Sequence, residues 1–281
     1  MKLKNIIFSC VAAASITTAL SGDDVKVGAE AKIAKPIATY TTIRKVGGFA
    51  IDTSRDLYFV AGHGARSPET NEYVGVKKVG DREIYDTEAQ VKQIISNITA
   101  SLNSQGLKLE DLNKLRIFHT QDNLQEVLAA LENALGDIYR EVFKDTIKVK
   151  SLPGKNVVEI NGQVFPKAKE RNTTPIPHEL SITSQIEFVG EGVETWQKQI
   201  ADIFDKNVSW MFGRVCNSKK DLVSVEVMLG KKEYFKHFND KWNSYFAGQT
   251  EVPARTAAFD DTVFEGNSVV KLIINYIKST D

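Results

Sequence analysis

The sequence has little cysteine. Only Cys10 and Cys216 occur among 281 residues. If Cys10 is removed with a cleaved leader, no disulfide can form within the chain, so stability must come from burial and assembly. Cys216 is by default a free thiol without a function.

An excess of charge of either sign is also absent. The chain carries 36 basic and 36 acidic residues, so its formal net charge is zero. A general nucleic-acid binder needs a basic surplus to displace counterions from phosphates, and we therefore expect no nucleic-acid partner. The 42% hydrophobic and 26% charged fractions are typical of a soluble globular protein.

Motifs for metal and phosphate are missing as well. The four histidines show no metal-ligand spacing with each other or with Cys216. Gly154-Lys155 lacks the earlier glycine and the following hydroxyl residue of a phosphate-binding loop. The sequence therefore predicts no metal site and no nucleotide-phosphate site.

The N-terminus, in contrast, has the layout of a secretory signal peptide. Two lysines precede a short apolar run over residues 6–20, and Ala19 and Ser21 are small enough for a cleavage site. We predict a signal peptide over 1–21, a polar leader over 22–39, and a periplasmic or secreted protein that leaves the membrane after cleavage. The alternative is an uncleaved anchor, although the run is short of the roughly 20 residues that a span needs.

Strand-like and helix-like segments alternate after the leader, in an order that occurs twice. In the first half, a capping box at Thr87 and Gln90 opens a helix whose apolar residues lie on one face. The predicted strands are 56–62, 115–118, 147–152, 157–160, 180–189, 222–229, 255–259 and 269–277. The other three helices are predicted near Asn123, Trp196 and Tyr234.

Short sequence repeats support an internal duplication. Lys92-Gln93-Ile94 recurs as Lys198-Gln199-Ile200 at an offset of roughly a hundred residues. We predict two α+β domains, 40–165 and 180–281, each a mixed sheet covered by two helices, joined by a linker over 166–179. The alternative is one continuous domain in which the sequence repeat is a coincidence.

Arg255 is the most informative single residue. Pro253 and Ala254 deliver it to the start of a strand-like segment, and a guanidinium fork matches both oxygens of a carboxylate. The alternative is a surface salt bridge with Asp260 or Asp261.

Several motifs together resemble the RidA (YjgF, L-PSP) family of reactive-intermediate deaminases. In the second half these are Asn239, Tyr245-Phe246 and Pro253-Ala254-Arg255-Thr256. In the first half they are Val46-Gly47-Gly48-Phe49 and Val60-Ala61-Gly62-His63-Gly64. The resemblance covers most of the chain after residue 40, as two tandem copies.

The resemblance implies a fold, an assembly and a chemistry. The fold is that of tandem RidA/YjgF-like (chorismate-mutase-like) domains, and in the family three domains form a barrel with small-molecule clefts between neighbours. We therefore expect a homo-oligomer whose domains form trimeric barrels, and a small carboxylate-bearing molecule as the ligand. The family chemistry is that of a 2-iminobutanoate/2-iminopropanoate deaminase, which hydrolyses 2-imino or enamine acids to 2-keto acids and ammonia. No metal or organic cofactor is implied.

Matching the motifs position by position gives five candidate substrate-binding residues. Arg255 falls at the carboxylate-binding arginine and Asn239 at a helix asparagine near the cleft, while Gly62, His63 and Phe49 come from the first copy. Asn239 could instead be solvent-facing or structural, and His63 could be a polar turn residue.

The departures from the family pattern leave the catalytic residues unassigned. Phe49 stands where the family often has tyrosine, and Lys271 stands at or next to the position of a glutamate that would steer water. Residues 269–277 contain no acid, and 146–152 contain no arginine. The first copy thus keeps the glycine-rich elements and the second keeps the arginine, which predicts a composite cleft between unlike domains.

Three functions are consistent with this pattern. The first is imine or enamine deamination, and the second is a non-catalytic binding or assembly protein of the same fold. The third is a ribonuclease, against which the neutral charge and the lack of interleaved basic and aromatic residues count.

Overall fold

The computed structural model describes residues 41–46, 57–120, 122–166, 183–190 and 195–277. The predicted signal peptide 1–21, the leader 22–39, Phe49 and nearly all of the predicted linker 166–179 lie outside the described residues. Within the described part, no helix is both long and apolar enough to cross a membrane.

The first half of the chain forms a five-stranded sheet, a separate hairpin and two helices. In chain order the elements are β1 (Ile43–Val46), β2 (Leu57–His63), β3 (Val76–Val79), β4 (Arg82–Tyr85), α1 (Thr87–Asn103), β5 (Leu112–His119), α2 (Leu124–Leu135), β6 (Phe143–Lys148) and β7 (Val158–Val164). The sheet order is β1-β2-β7-β5-β6, and among the described strands β3 pairs only with β4.

The second half repeats this plan with four strands. Its elements are β8 (Thr183–Val189), α3 (Trp196–Asp202), β9 (Leu222–Leu229), α4 (Phe235–Tyr245), β10 (Ala254–Phe259) and β11 (Val270–Ile277). The order β10-β9-β11-β8 is the order β6-β5-β7-β2 of the first sheet, and in both sheets only the first of these pairs is parallel. The predicted α+β fold, with two helices for each mixed sheet, is confirmed. The repeated order is consistent with tandem copies, and the predicted domain boundaries stay predictions.

The helices form where their apolar residues share one face. In α1, Val91, Ile94, Ile98 and Leu102 are spaced by three or four residues and all are fully buried. The predicted capping box at Thr87 is wrong by one residue, because Asp86 is the N-cap and its carboxylate accepts from the backbone of Ala89 at 2.9 Å.

One predicted strand was misplaced. The sequence predicted a strand over 147–152, whereas β6 covers Phe143–Lys148. No residue of β6 is buried, so it lacks the apolar alternation that marks a strand in sequence. Val149 and Leu152, which gave the pattern, are buried beyond the strand against the second half. The strand β1 and the exposed β3–β4 hairpin were not predicted.

The two halves meet at a seam, formed by β10 on one side and by β2 with residues 149–152 on the other. All six residues of β10 are buried although it lies at the edge of its sheet. Ser151 exchanges two backbone hydrogen bonds with Phe259, at 3.0 and 3.1 Å. Phe59 of β2 joins a buried cluster with Ala254. The seam thus covers an edge that would otherwise present unpaired backbone groups.

A charged pair joins β5 and β9 beside the seam, at matching positions of the two copies. Arg116 is the fifth residue of β5 and Glu226 the fifth residue of β9, and their side chains form an ion pair with 19% and 15% exposure. Arg116 also pairs with Asp145 at 2.7 Å, and Asn161 donates to Glu226 at 3.1 Å. Opposite charges at equivalent positions favour pairing of the first copy with the second over pairing of like copies.

We expect the Arg116–Glu226 pair to contribute substantially to stability, because removing one partner leaves a largely desolvated charge. Arg116→Met should lower the free energy of unfolding by about 2–4 kcal/mol in urea titrations. Lys236→Met is the control, since Lys236 and Asp240 form an exposed pair on α4 and its loss should cost less than about 0.5 kcal/mol. Equal effects of the two substitutions would show that the buried pair has no special role.

Candidate functional site

A cavity opens along the seam and is lined by both halves of the chain. Its volume is about 80 Å³. The first half contributes Gly62, His63 and Glu159, and the second contributes Arg255 and Phe235. The structure therefore brings Arg255 and Gly62 together, as the composite-cleft hypothesis requires.

Arg255 is held on an aromatic surface. It is the second residue of β10 and only 4% exposed. Its guanidinium carbon lies 5.0 Å from the ring centre of Trp242, 5.7 Å from Phe235 and 5.8 Å from Phe238, all on or beside α4. Such cation–π contacts fix the plane of the guanidinium while it is shielded from water.

The two acids that could have neutralised Arg255 at the surface have other partners. Asp261 forms an ion pair with Lys150, and Asp260 accepts from the backbone of Thr262 at 2.9 Å. The acid at the cavity is instead Glu159.

Glu159 is the residue that sequence reasoning missed. It lies on β7, is 6% exposed, and accepts a hydrogen bond from the backbone N–H of Ala257 on β10. Burial raises the pKa of Glu159 to about 7, against the opposing effects of that hydrogen bond and of the Arg255 charge. Its carboxyl group can therefore exchange a proton near neutral pH. The sequence signal was a single acid among Val157, Val158 and Ile160.

Strand register explains why this acid was missed. Arg255 and Lys144 are each the second residue of their strands, β10 and β6, and pair with Val225 and Leu115 at matching positions. Glu159 and Lys271 are likewise the second residues of β7 and β11. The first copy thus has lysine and glutamate where the second has arginine and lysine. The acid was sought in the second copy, and the first-copy counterpart of Arg255 was sought in 146–152.

In the second copy, the position equivalent to Glu159 is occupied by Lys271, which forms an ion pair. Lys271 lies 3.0 Å from Glu187 of β8, the strand that corresponds to β2. The departure at Lys271 noted in the sequence therefore concerns the second copy alone, since the seam cavity receives its acid from the first.

Gly62 is needed because other groups approach its backbone closely. A methyl group there would overlap Oε1 of Glu159 and stand 2.7 Å from Cγ2 of Thr256. The lack of a side chain at Gly62 thus leaves room for the carboxyl group of Glu159 at the seam. The sequence alone does not show this close approach.

His63 is a strand residue rather than a turn residue. It ends β2, is 7% exposed, and its Nε2 lies 3.2 Å from Oγ of Ser101. Burial lowers the pKa of His63 to about 4, although a hydrogen bond with the backbone of Thr42 opposes the shift. His63 is therefore a neutral group in the cavity wall at pH 7.

The remaining predicted site residues do not line this cavity in the described part of the chain. Asn239 is half-buried on α4, and its Oδ1 accepts from no described residue. Phe49 lies outside the described residues. No group of three or more histidine, cysteine, aspartate or glutamate residues is placed to hold a metal within the ranges that the structure describes. The substrate-binding roles of Arg255, Asn239, Gly62, His63 and Phe49 stay predictions.

Comparison with known proteins finds a family that is similar to the first half of the chain. The family model described as Endoribonuclease L-PSP matches residues 49–165, which include β2, Gly62, His63 and Glu159. The match lies in the first copy and covers less than half of the 281 residues, so it shows that this part of the chain is similar to the family, also called RidA/YjgF. None of the curated proteins matches the chain.

Solved structures of this family resemble about half of the chain. RidA from the Antarctic bacterium Psychrobacter sp. is 22% identical, with a TM-score of 0.39, over 50% of this chain and 99% of its own. E. coli TdcF with bound serine is 17% identical, with a TM-score of 0.40, over 51% and 100%. A Thermotoga maritima protein described as an endoribonuclease is 24% identical, with a TM-score of 0.40, over 52% and 100%.

We expect Gly62→Ala to destabilise the seam, because the added methyl group displaces Glu159 or Thr256. The free energy of unfolding should fall by about 1–3 kcal/mol in urea titrations. Gly230→Ala is the matched control, since a methyl group there has no neighbour closer than 3.7 Å and no unusual backbone angle opposes it. A change at Gly62 no larger than at Gly230 would contradict the close approach.

Glu159 and His63 should impose opposite pH dependences on stability. The folded pKa of Glu159, about 7, lies above the ordinary carboxyl value of 4.5, so its contribution to stability is lost as pH rises through that interval. The folded pKa of His63, about 4, lies below 6.5, so its unfavourable effect below pH 6.5 is relieved as pH rises. Each change is on the order of 3 kcal/mol.

The two effects largely cancel in the wild type and separate in single variants. Relative to the wild type, Glu159→Gln should gain unfolding free energy from pH 4.5 to 7, and His63→Asn should lose it. Urea titrations across this range measure both slopes, with Glu187→Gln as an exposed control that should follow the wild type. Parallel curves for all four proteins would contradict the burial of these groups.

Proposed function

We propose that the seam cavity binds a small carboxylate-bearing molecule through Arg255 and hydrolyses 2-imino or enamine acids to 2-keto acids and ammonia. One observation carries the proposal. A shielded guanidinium from the second copy and a carboxyl group with a pKa of about 7 from the first line the same cavity.

Binding is the part that Arg255 would supply. Its guanidinium is oriented by Trp242 and the two phenylalanines, so little side-chain freedom is lost when it receives both oxygens of a carboxylate. A buried positive charge also gains more from a bound anion than an exposed one does.

Proton transfer is the part that Glu159 would supply. Water adds to the carbon of the protonated imine, and the carboxylate of Glu159 accepts the proton that the water oxygen loses. The protonated carboxyl group then donates that proton to the amino nitrogen of the adduct. The carbon–nitrogen bond breaks to release ammonia, and the hydroxyl group of the adduct passes its proton to the Glu159 carboxylate as the keto group forms. An acid whose pKa is near the working pH suits both steps.

The test is keto-acid release from 2-iminopropanoate generated in situ. Arg255→Ala should lower kcat/KM by at least about a hundredfold through lost binding, and Glu159→Gln should lower kcat by about 10²–10⁴-fold. Arg214→Ala and Glu187→Gln are matched controls, because both residues lie outside the cavity lining, and they should retain wild-type rates.

The outcomes separate the rival functions. Wild-type release no faster than in buffer would exclude deamination. Binding of a keto acid that depends on Arg255 but occurs without turnover would support the non-catalytic binder. Ribonuclease activity is not proposed, since the chain has a net charge of zero.

A further inference from the structure

A second arginine, Arg66, lines the same cavity from the segment that follows β2. Its Nε donates to the backbone carbonyl of Asn71 at 3.1 Å. Within the described part of the chain, Arg66 forms no ion pair with a carboxylate. Its positive charge therefore has no described acidic partner.

The backbone around Arg66 is held firmly. The side-chain amide of Asn97 on α1 donates to the carbonyl of Arg66 at 2.9 Å and to that of Gly64 at 3.0 Å. Gln93 in turn donates to Asn97 at 2.9 Å. Asn71 has a positive φ of 64°, a conformation that non-glycine residues adopt at a cost, and its carbonyl is the acceptor for Arg66. The segment thus positions a guanidinium on the cavity wall.

The charges of the cavity are unbalanced for a ligand with one carboxylate. Among the described residues that line the cavity, two arginines face one glutamate, so a monoanionic ligand leaves a net positive charge whenever Glu159 is protonated. A ligand with two anionic groups neutralises both guanidinium groups. Each anionic group can accept a pair of hydrogen bonds from one guanidinium.

We propose that Arg66 binds a second, distal carboxylate, so that the site selects dicarboxylic 2-keto and 2-imino acids over monocarboxylic ones. This rests on the proposed function, in which Arg255 binds the carboxylate next to the reacting carbon. Arg66 is then the residue that determines specificity, and it takes no part in proton transfer.

Isothermal titration with two keto acids of equal chain length tests the proposal. The wild type should bind 2-oxoglutarate about 10–100 times more tightly than 2-oxopentanoate, in which a methyl group replaces the distal carboxylate. This comparison needs no variant, so it holds even if a substitution impairs folding.

Variants assign the preference to Arg66. Arg66→Gln should weaken 2-oxoglutarate binding about 10–100-fold and leave 2-oxopentanoate binding unchanged, whereas Arg255→Gln should weaken both. Arg82→Gln, on the exposed strand β4, is the matched control and should change neither. Melting temperatures of all variants check that each is folded.

Different results would contradict the role of Arg66 and the proposed function. Equal affinities of the wild type for the two acids, or an equal loss for both in Arg66→Gln, would overturn the role of Arg66 and leave the proposed function intact. Binding that is insensitive to Arg255→Gln would instead refute the proposed function itself.

Discussion

The covered edge of β10 is the constraint on which the rest of the structure depends. An edge strand with six buried residues is stable only if another element shields it, and here β2 and residues 149–152 of the first half do so. The equivalent strand β6 has no buried residue. The cavity, with Arg255 and Glu159 in its lining, lies along this covered edge.

That burial also sets the chemistry of the site. Arg255 keeps its charge away from bulk water because aromatic rings of α4 pack against it. Glu159 lies across the seam, where burial makes its ionised form costly. The same exclusion of water thus raises the pKa of Glu159 to about 7 and, under the proposed function, strengthens the binding of an anion at Arg255.

Much of the fold could be predicted from the sequence because its periodicity reflects burial. The strand β9 was predicted with its observed bounds, 222–229, since its alternate residues face the core of the second half. The strand β6 was misplaced because an exposed edge imposes no apolar pattern. The β3–β4 hairpin was missed although Gly80-Asp81 is a turn signal, since its strands are short and mostly exposed.

Only part of the candidate site could be predicted from the sequence, because its residues come from both copies. Arg255 was recognised from the residues around it in the sequence. The proposed role of Glu159 depends instead on its contact with β10 of the second copy, which its sequence neighbours do not indicate. Sequence reasoning compared each copy with a complete site, and in this chain neither copy contains one. Arg66 had no local motif at all, and only the shape of the cavity connects it with Arg255.

The division of the site between two copies of one polypeptide has a consequence for how it responds to dilution. A cleft made by separate subunits loses its parts as the protein concentration falls below the dissociation constant of the assembly. Here the chain itself holds Arg255 and Glu159 at a fixed effective concentration. Because the two halves belong to one polypeptide, formation of the seam is a step of folding rather than of association between chains.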